Sequence, residues 1–384
     1  MSIESKERPV FVLGAERSGT TLLMVMLGRH KRISVPEVAW YYPRFRPYLH
    51  TYGDLSRPEN LLTLAEEMVF GLKTPFWGMP VNPKTIVDEI VARAPEHGFA
   101  GIFAAMLQKY AELEGKPRWG EKTPYNLYFV KEILEDFPNA QFVFITRDGR
   151  DASADYLESS FGPTNIYTAA RAWKRAQNAV ETFRSNLRAD QWFDVRYEDL
   201  ARQPEVILRR VTDFLGEDYD EQMLEFHRGE IARRRGQTRD HAPLGGPASP
   251  IYIGIHKNLL SLRDQRVFAW VAGEELRNSG YPVDVEPLAL SEEEIKRYLE
   301  LDGRYRAAAL DAPDGHIVYE SYNDWLADQR EARRQAGLWN HESAPKRFPL
   351  GDPDEELITG QRALRRWKDY FGIKRRYVSN KVVL

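Results

Sequence analysis

The chain has 384 residues, of which 54 are lysine or arginine and 57 are aspartate or glutamate, giving a formal net charge of −3 at pH 7. With 42% hydrophobic and 29% charged residues, the composition is that of a folded globular protein and excludes collagen-like and disordered classes. The near-neutral charge argues against a nucleic-acid partner. The absence of cysteine excludes disulfides, thiolate metal sites and cysteine nucleophiles.

The start of the chain carries no targeting signal that we can identify. Its first nine residues have charges of both signs and lack the apolar stretch of a signal peptide. No apolar run in the sequence approaches the roughly 20 residues of a membrane-spanning helix. We therefore expect a cytoplasmic protein without a transmembrane segment.

Short apolar runs rich in β-forming residues alternate with helical stretches along the chain. Residues 9–13 are such a run, and a glycine loop at 14–19 and an apolar helical stretch at 22–27 follow it. Two further runs, at 141–146 and 191–196, also lead into helical stretches. This alternation predicts an α/β fold of three layers, in which a central parallel sheet has helices on both faces.

The pattern changes twice along the chain. Residues 40–118 are less regular and rich in aromatic side chains, which favours a helical insertion with a packed aromatic core. We expect a domain at 1–282 that contains this insertion, and a mainly helical C-terminal extension at 283–384. The basic stretch 361–377 is either a solvated helix face or a surface for an anionic partner, and the sequence leaves the oligomeric state open.

A phosphate-binding loop is the clearest chemical feature. Residues 14–21 read GAERSGTT and lie between a predicted strand and a predicted helix, where backbone N–H groups and the helix N-terminus bind anions. A nucleoside triphosphatase would place a lysine directly after the second glycine. Here Thr20 and Thr21 follow Gly19, and the cation of the loop is Arg17.

A second cationic position follows the strand at 141–146. This strand ends in Arg147, whereas a nucleotidase would carry an acidic residue there for its metal. Two separated cationic sites that need no metal suit a nucleotide with phosphate at both its 5′ and its 3′ position. A P-loop kinase is therefore the weaker hypothesis.

Four segments in order resemble the sulfotransferases that use 3′-phosphoadenosine 5′-phosphosulfate (PAPS). They read GAERSGTT at 14–21, GEKTP at 120–124, FPNAQFVFITRDGRD at 137–151 and RYEDL at 196–200. The resemblance covers approximately residues 9–281 and implies an enzyme that transfers a sulfuryl group from PAPS, with no metal, to a hydroxyl group. We expect the acceptor to be a carbohydrate or a small hydroxylated metabolite.

The resemblance also implies roles for single residues. The loop would hold the 5′-phosphosulfate, Arg147 the 3′-phosphate, and Tyr197 would lie against the adenine. Lys122 matches a family lysine near the transferring group, and Glu37 is expected to be the base, with Glu121 as the alternative. The residues expected to bind the donor are Arg17, Ser18, Gly19, Thr20, Thr21, Arg147, Ser153, Tyr197 and Lys257, and those expected to act in catalysis are Arg17, Glu37 and Lys122.

One position departs from the family pattern. The family usually has a serine eight residues after the strand-end arginine, and this chain has Asp155 there. Three explanations are open: Ser153 or Arg150 takes over part of the task, Asp155 faces elsewhere, or the 3′-phosphate is bound weakly. The same departure motivates an alternative function, a degenerate sulfotransferase-like scaffold that serves as a binding or assembly module.

Overall fold

The structure is a computed structural model that describes residues 8–340, except 73–74, 95, 97, 160–161 and 310–315. The chain divides into two compact units. The first unit combines residues 1–38 with 115–306, and the second combines 39–114 with 307–384. The predicted domains at 1–282 and 283–384 stay a prediction, and the basic stretch 361–377 lies outside the described residues.

The first unit contains a parallel sheet of five strands. The strands are β1 Val10–Leu13, β2 Ile33–Ser34, β3 Arg118–Glu121, β4 Gln141–Thr146 and β5 Trp192–Arg196. Their order across the sheet is β2-β3-β1-β4-β5, and every neighbouring pair is parallel. The α/β fold class is thereby confirmed. β3 is a strand that the sequence pattern did not predict, because its four residues include a glycine and two charged residues.

Alternate residues of the central strands face opposite sides of the sheet. Val12 of β1 and Val143 of β4 belong to a buried cluster with residues of the helices at 20–27 and 204–215. On the other face, Phe11 packs against Phe142 of β4 and against Phe137, with ring centroids 5.8 and 6.3 Å apart. Burial of both faces is what a parallel sheet requires.

Helices connect the strands and form the second unit. The α-helices are α1 Thr20–Leu27, α2 Tyr41–Phe45, α3 Pro58–Phe70, α4 Ile86–Arg93, α5 Phe99–Leu113, α6 Val130–Asp136, α7 Gly149–Glu158, α8 Ile166–Arg184, α9 Tyr197–Arg202, α10 Pro204–Leu215, α11 Glu230–Gly236, α12 His256–Leu259, α13 Leu262–Asn278, α14 Glu292–Ala309 and α15 His316–Gln335. The 3₁₀ helices are Arg46–Tyr52, Pro75–Gly78, Pro124–Tyr128, Glu221–Arg228, Arg239–Gly245 and Pro250–Tyr252. Across the part of the chain that the structure describes, no helix is both long enough and apolar enough to cross a membrane.

Aromatic side chains form much of the core of the second unit. Tyr41 and Tyr42 of α2 are at most 2% exposed, and both pack edge-on against Phe103 of α5, with ring centroids 5.7 and 5.4 Å apart. The Tyr52 hydroxyl donates a hydrogen bond to the buried carboxylate of Glu67. These aromatics therefore act as packing residues, as the pattern at 40–118 indicates.

Candidate active site

The five strands of the first unit end at the same edge of the sheet, and each is followed within a few residues by a predicted site residue. Arg17 follows β1, Glu37 follows β2, Lys122 follows β3, Arg147 follows β4 and Tyr197 follows β5. β1 has β3 on one side and β4 on the other, so the chain changes direction across the sheet there. Ligands of open parallel sheets bind at such a point, beyond the carboxyl ends of the strands.

The phosphate loop needs its glycines for steric reasons. Gly19 has φ +94°, and a Cβ atom at this position would lie 2.6 Å from Cδ2 of Tyr197. Arg17 is itself held at φ 64°, a left-handed conformation that non-glycine residues rarely adopt. The Ser18 side chain is fully buried, and its Oγ has no hydrogen-bond partner among the described residues. Thr20, at the first position of α1, is also buried.

Arg147 is fixed by main-chain acceptors. Its Nη1 donates to the carbonyl oxygen of Arg17 at 2.8 Å, and its Nη2 donates to that of Tyr252 at 2.9 Å. The guanidinium carbon lies 4.6 Å from the centroid of the Tyr197 ring. Arg147 thus ties the phosphate loop, the segment around Tyr252 and the start of α9 together, and Tyr197 lies between Arg147 and Gly19.

Asp155 bridges the two arginines of the site. Its Oδ1 accepts a hydrogen bond from Nη2 of Arg17 at 2.6 Å, and its Oδ2 accepts one from Nη1 of Arg147 at 2.8 Å. The explanation that Asp155 faces elsewhere is therefore wrong. Arg150 instead pairs with Asp148 and Asp284.

Ser153 is fully buried on α7, and its Oγ has no hydrogen-bond partner within the described ranges. Residues two apart on a helix point to different sides, so Ser153 does not face the space that Asp155 faces. Its role in binding the donor stays a prediction.

Lys122 and Glu121 are neighbouring buried groups with shifted pKa values. Burial, reinforced by the nearby Arg235, lowers the pKa of Lys122 to about 8, and its Nζ lies 3.3 Å from Oγ1 of Thr21. Burial raises the pKa of Glu121 to about 7. The Glu121 carboxylate is held by the Thr123 hydroxyl at 2.6 Å and by the Asn126 amide. Groups that titrate near neutral pH are suited to proton transfer.

Glu37 is paired with two arginines of α11. Nε of Arg235 donates to Oε1 of Glu37 at 2.5 Å, and Arg234 donates to Oε2. The Glu37 side chain keeps 18% of its surface exposed. Both carboxylate oxygens thus contact guanidinium groups, and the assignment of Glu37 as the base stays a prediction.

His241 is a site residue that the sequence did not suggest. It lies in the 3₁₀ helix Arg239–Gly245, next to Asp240, whose carbonyl oxygen accepts a hydrogen bond from Arg17 at 2.9 Å. Burial and the neighbouring cations Arg235, Arg17 and Lys122 lower its pKa to about 3, so its imidazole is neutral at physiological pH. No motif spacing marks this histidine, because a long irregular segment brings it to the loop.

Lys257 lies in α12 with its side chain exposed. The preceding residue, His256, is buried and places its Nδ1 2.5 Å from Oδ1 of Asp151. Asp151 also accepts a hydrogen bond from the backbone N–H of Gly254 at 2.6 Å. This contact fixes the segment that carries Lys257 against α7, and contact of Lys257 with the donor stays a prediction.

The chemistry of these residues fits a nucleotide with two separate phosphate groups. The buried Ser18 hydroxyl and the buried Nε of Arg147 have no hydrogen-bond partner in the described parts of the chain, and both belong to the positions expected to bind phosphate. Buried polar groups are normally satisfied, so these two atoms are suited to a ligand. Within the described residues, no group of three or more histidine, aspartate or glutamate side chains could hold a metal ion.

Comparison with known proteins identifies several sulfotransferases. A protein-tyrosine sulfotransferase of Drosophila melanogaster is 24% identical over 293 residues, which cover 74% of this chain and 51% of that protein. Protein-tyrosine sulfotransferase 1 of Danio rerio is 24% identical over 244 residues, which cover 61% of this chain and 60% of that protein. The sulfotransferase domain of the Synechococcus PCC 7002 olefin synthase, a solved structure, is 22% identical with a TM-score of 0.49, covering 73% of this chain and 98% of that one.

These comparisons bear on the expected location of the protein and on how much of its relatives the chain matches. The cytoplasmic location expected from the sequence is contradicted by the curated relatives, which are named protein-tyrosine sulfotransferases. The chain matches only about half to three fifths of the length of the two relatives above.

The family itself is shown by a match that covers the whole sheet. The sequence model of the sulfotransferase family matches residues 9–221, which are more than half of the 384 residues. The matched region contains all five strands and the predicted site residues Arg17, Lys122, Arg147 and Tyr197. The chain belongs to the sulfotransferase family.

Proposed function

We propose that this protein transfers the sulfuryl group of PAPS to a hydroxyl group of an acceptor. The observation that carries the proposal is the meeting of the phosphate loop, Arg147 and Lys122 at one edge of the sheet in a chain of the sulfotransferase family. When bound, PAPS supplies a sulfuryl group on a nucleotide leaving group. The new bond joins sulfur to the acceptor oxygen, the bond from sulfur to the 5′-phosphate oxygen breaks, and the hydroxyl proton passes to a base.

The roles of the residues follow from their charge and position. Arg17 is proposed to stabilise the negative charge on the leaving oxygen, and Lys122 to contact the sulfuryl oxygens, since fixed cations at developing charge lower the barrier. Arg147 is proposed to bind the 3′-phosphate, with Tyr197 beside the adenine. Glu37 is the proposed base, and releasing one of its two arginine contacts would open a carboxylate oxygen for the proton.

The acceptor is proposed to be a phenolic hydroxyl, namely a tyrosine of a protein. The support is the name of the curated relatives, which are protein-tyrosine sulfotransferases. The carbohydrate or small hydroxylated metabolite expected from the sequence remains the competing proposal.

Transfer of labelled sulfate from PAPS tests the function and the acceptor together. The protein is incubated with a tyrosine-containing peptide, the same peptide with phenylalanine in place of tyrosine, an oligosaccharide and a simple phenol. We expect label only on the peptide with tyrosine and on the phenol. Label on the oligosaccharide alone would overturn the proposal that the acceptor is a tyrosine hydroxyl. Binding of 3′-phosphoadenosine 5′-phosphate (PAP) without transfer to any of these acceptors would favour the binding module.

A further inference from the structure

Asp155 occupies a position where an anionic ligand would be expected. Its two oxygens contact Arg17 and Arg147 at 2.6 and 2.8 Å. The arginine side chains are 9% and 3% exposed, whereas that of Asp155 is 27% exposed. One carboxylate at the open side therefore offsets only one of the two positive charges of the buried guanidinium groups.

The contacts of Arg147 limit how it can meet a phosphate. Its Nη1 is shared between Asp155 and the carbonyl oxygen of Arg17, and its Nη2 contacts the carbonyl oxygen of Tyr252. A phosphate that binds Arg147 must either displace the carboxylate or lie beside it. Two anions a few ångströms apart repel each other even at partial screening.

A hydroxyl group of the ligand would be attracted to the same carboxylate, because it can donate a hydrogen bond. A ribose hydroxyl can donate a hydrogen bond to an aspartate. In dinucleotide-binding folds, an acidic residue beside the ribose selects the nucleotide with a free hydroxyl, whereas an arginine accommodates the nucleotide with a phosphate there. Serine at this position would remove the negative charge and would offer a hydroxyl donor to a phosphate.

We infer that Asp155 sets the nucleotide specificity of the donor site, by reducing the preference for a 3′-phosphate over a 3′-hydroxyl. This inference rests on the proposed function, since it assumes that Arg147 faces the 3′ position of the donor. Asp155 is a specificity residue here.

Calorimetric titration with PAP and with AMP tests the inference, because these two nucleotides differ only in the 3′-phosphate. The measured quantity is the ratio of the AMP dissociation constant to the PAP dissociation constant. Asp155→Ser should raise this ratio about tenfold to a hundredfold, the range for removal of an opposed charge at a charged hydrogen bond. Tighter binding of PAP should account for the increase, and Asp155→Asn, which keeps the shape, should change the ratio in the same direction.

Asp284→Ser is the matched control, since it makes the same charge change at a 66% exposed aspartate that pairs with Arg150. Its ratio should equal that of the original protein. An unchanged ratio in both Asp155 variants, or weaker binding of PAP in both, would overturn the inference and leave the proposed function standing. Failure of the original protein to bind either nucleotide would refute the proposed function, and the inference with it.

Discussion

The two halves of the strand-end site differ in the environment of their charged groups. In the arginine half, formed by Arg17, Arg147 and Asp155, cations and anion contact each other directly at 2.6 and 2.8 Å. In the titrating half, formed by Glu121 and Lys122, burial shifts both pKa values towards neutrality, to about 7 and about 8. Both halves are buried at the same edge of one sheet.

This difference separates groups of fixed charge from groups whose charge changes with pH. Ion-paired guanidinium groups keep their charge at every physiological pH, so the arginine half offers fixed cations to a ligand. Groups with pKa values near neutrality gain or lose protons in the working range. We therefore expect variants of the arginine half to change affinity and charge stabilisation, and variants of the titrating half to change pH profiles.

The largest effect is expected within the arginine half itself. Arg17→Ala should lower kcat about 100-fold to 1,000-fold, as removal of a preorganised transition-state donor does. Arg147→Ala should mainly raise the dissociation constant of PAP, because this residue is proposed to act away from the reacting atoms. Steady-state kinetics and calorimetry of both variants measure the two effects. Arg239→Ala, which removes a 74% exposed arginine, serves as control, and equal kinetic defects in Arg17→Ala and Arg147→Ala would refute the division of roles.

Lys122 should make kcat/KM depend on pH in the alkaline range. Its pKa of about 8 means that the ammonium is lost as the pH rises through 8. If the charge is needed, kcat/KM should then fall about tenfold per pH unit, since kcat/KM reports groups of the uncomplexed enzyme. Lys122→Arg keeps a charge that does not titrate and should abolish this fall, whereas Lys174→Arg on α8 should not. A profile of the original protein that stays level to pH 9.5 would show that the Lys122 charge is dispensable.

Glu121 should have a smaller effect, which appears in stability. Its pKa is raised from 4.5 to about 7 by burial, so the folded protein binds the proton more tightly than the unfolded chain does. The stabilisation is complete below about pH 4.5 and is lost as the pH rises through 7, with an upper limit of about 3 kcal/mol. Chemical denaturation at pH 5 and at pH 8 measures it. Glu121→Gln should reduce the difference between the two pH values, whereas the exposed Glu135→Gln should not, and equal differences in all three proteins would contradict the assigned burial effect.

Much of the architecture could be predicted because it depends on local pattern. The apolar runs at 9–13, 141–146 and 191–196 correspond to β1, β4 and β5, which pair directly in the structure. β3 was missed because Arg118 and Glu121 interrupt any apolar run, so only its pairing with β1 and β2 defines it.

The site was predictable only in part. Arg17 and Arg147 follow the ends of predicted strands, and a parallel sheet brings such ends together whatever the connecting segments do. Lys122 was predicted from the family resemblance alone, because the strand before it was not predicted. The contact of Asp155 with both arginines depends on the rotation of α7 and on side-chain conformations. The place of His241 depends on an irregular segment more than 200 residues from the loop. Neither leaves a periodic signal in the sequence.

Calorimetric titration with PAP in the presence of EDTA tests most directly whether the strand-end site binds a nucleotide through protein cations. We predict saturable binding of one PAP per chain, unchanged by EDTA and strongly weakened in Arg147→Ala, because guanidinium groups and loop N–H groups supply the positive charge. Binding of ATP that appears only with Mg²⁺, together with no binding of PAP, would contradict this account.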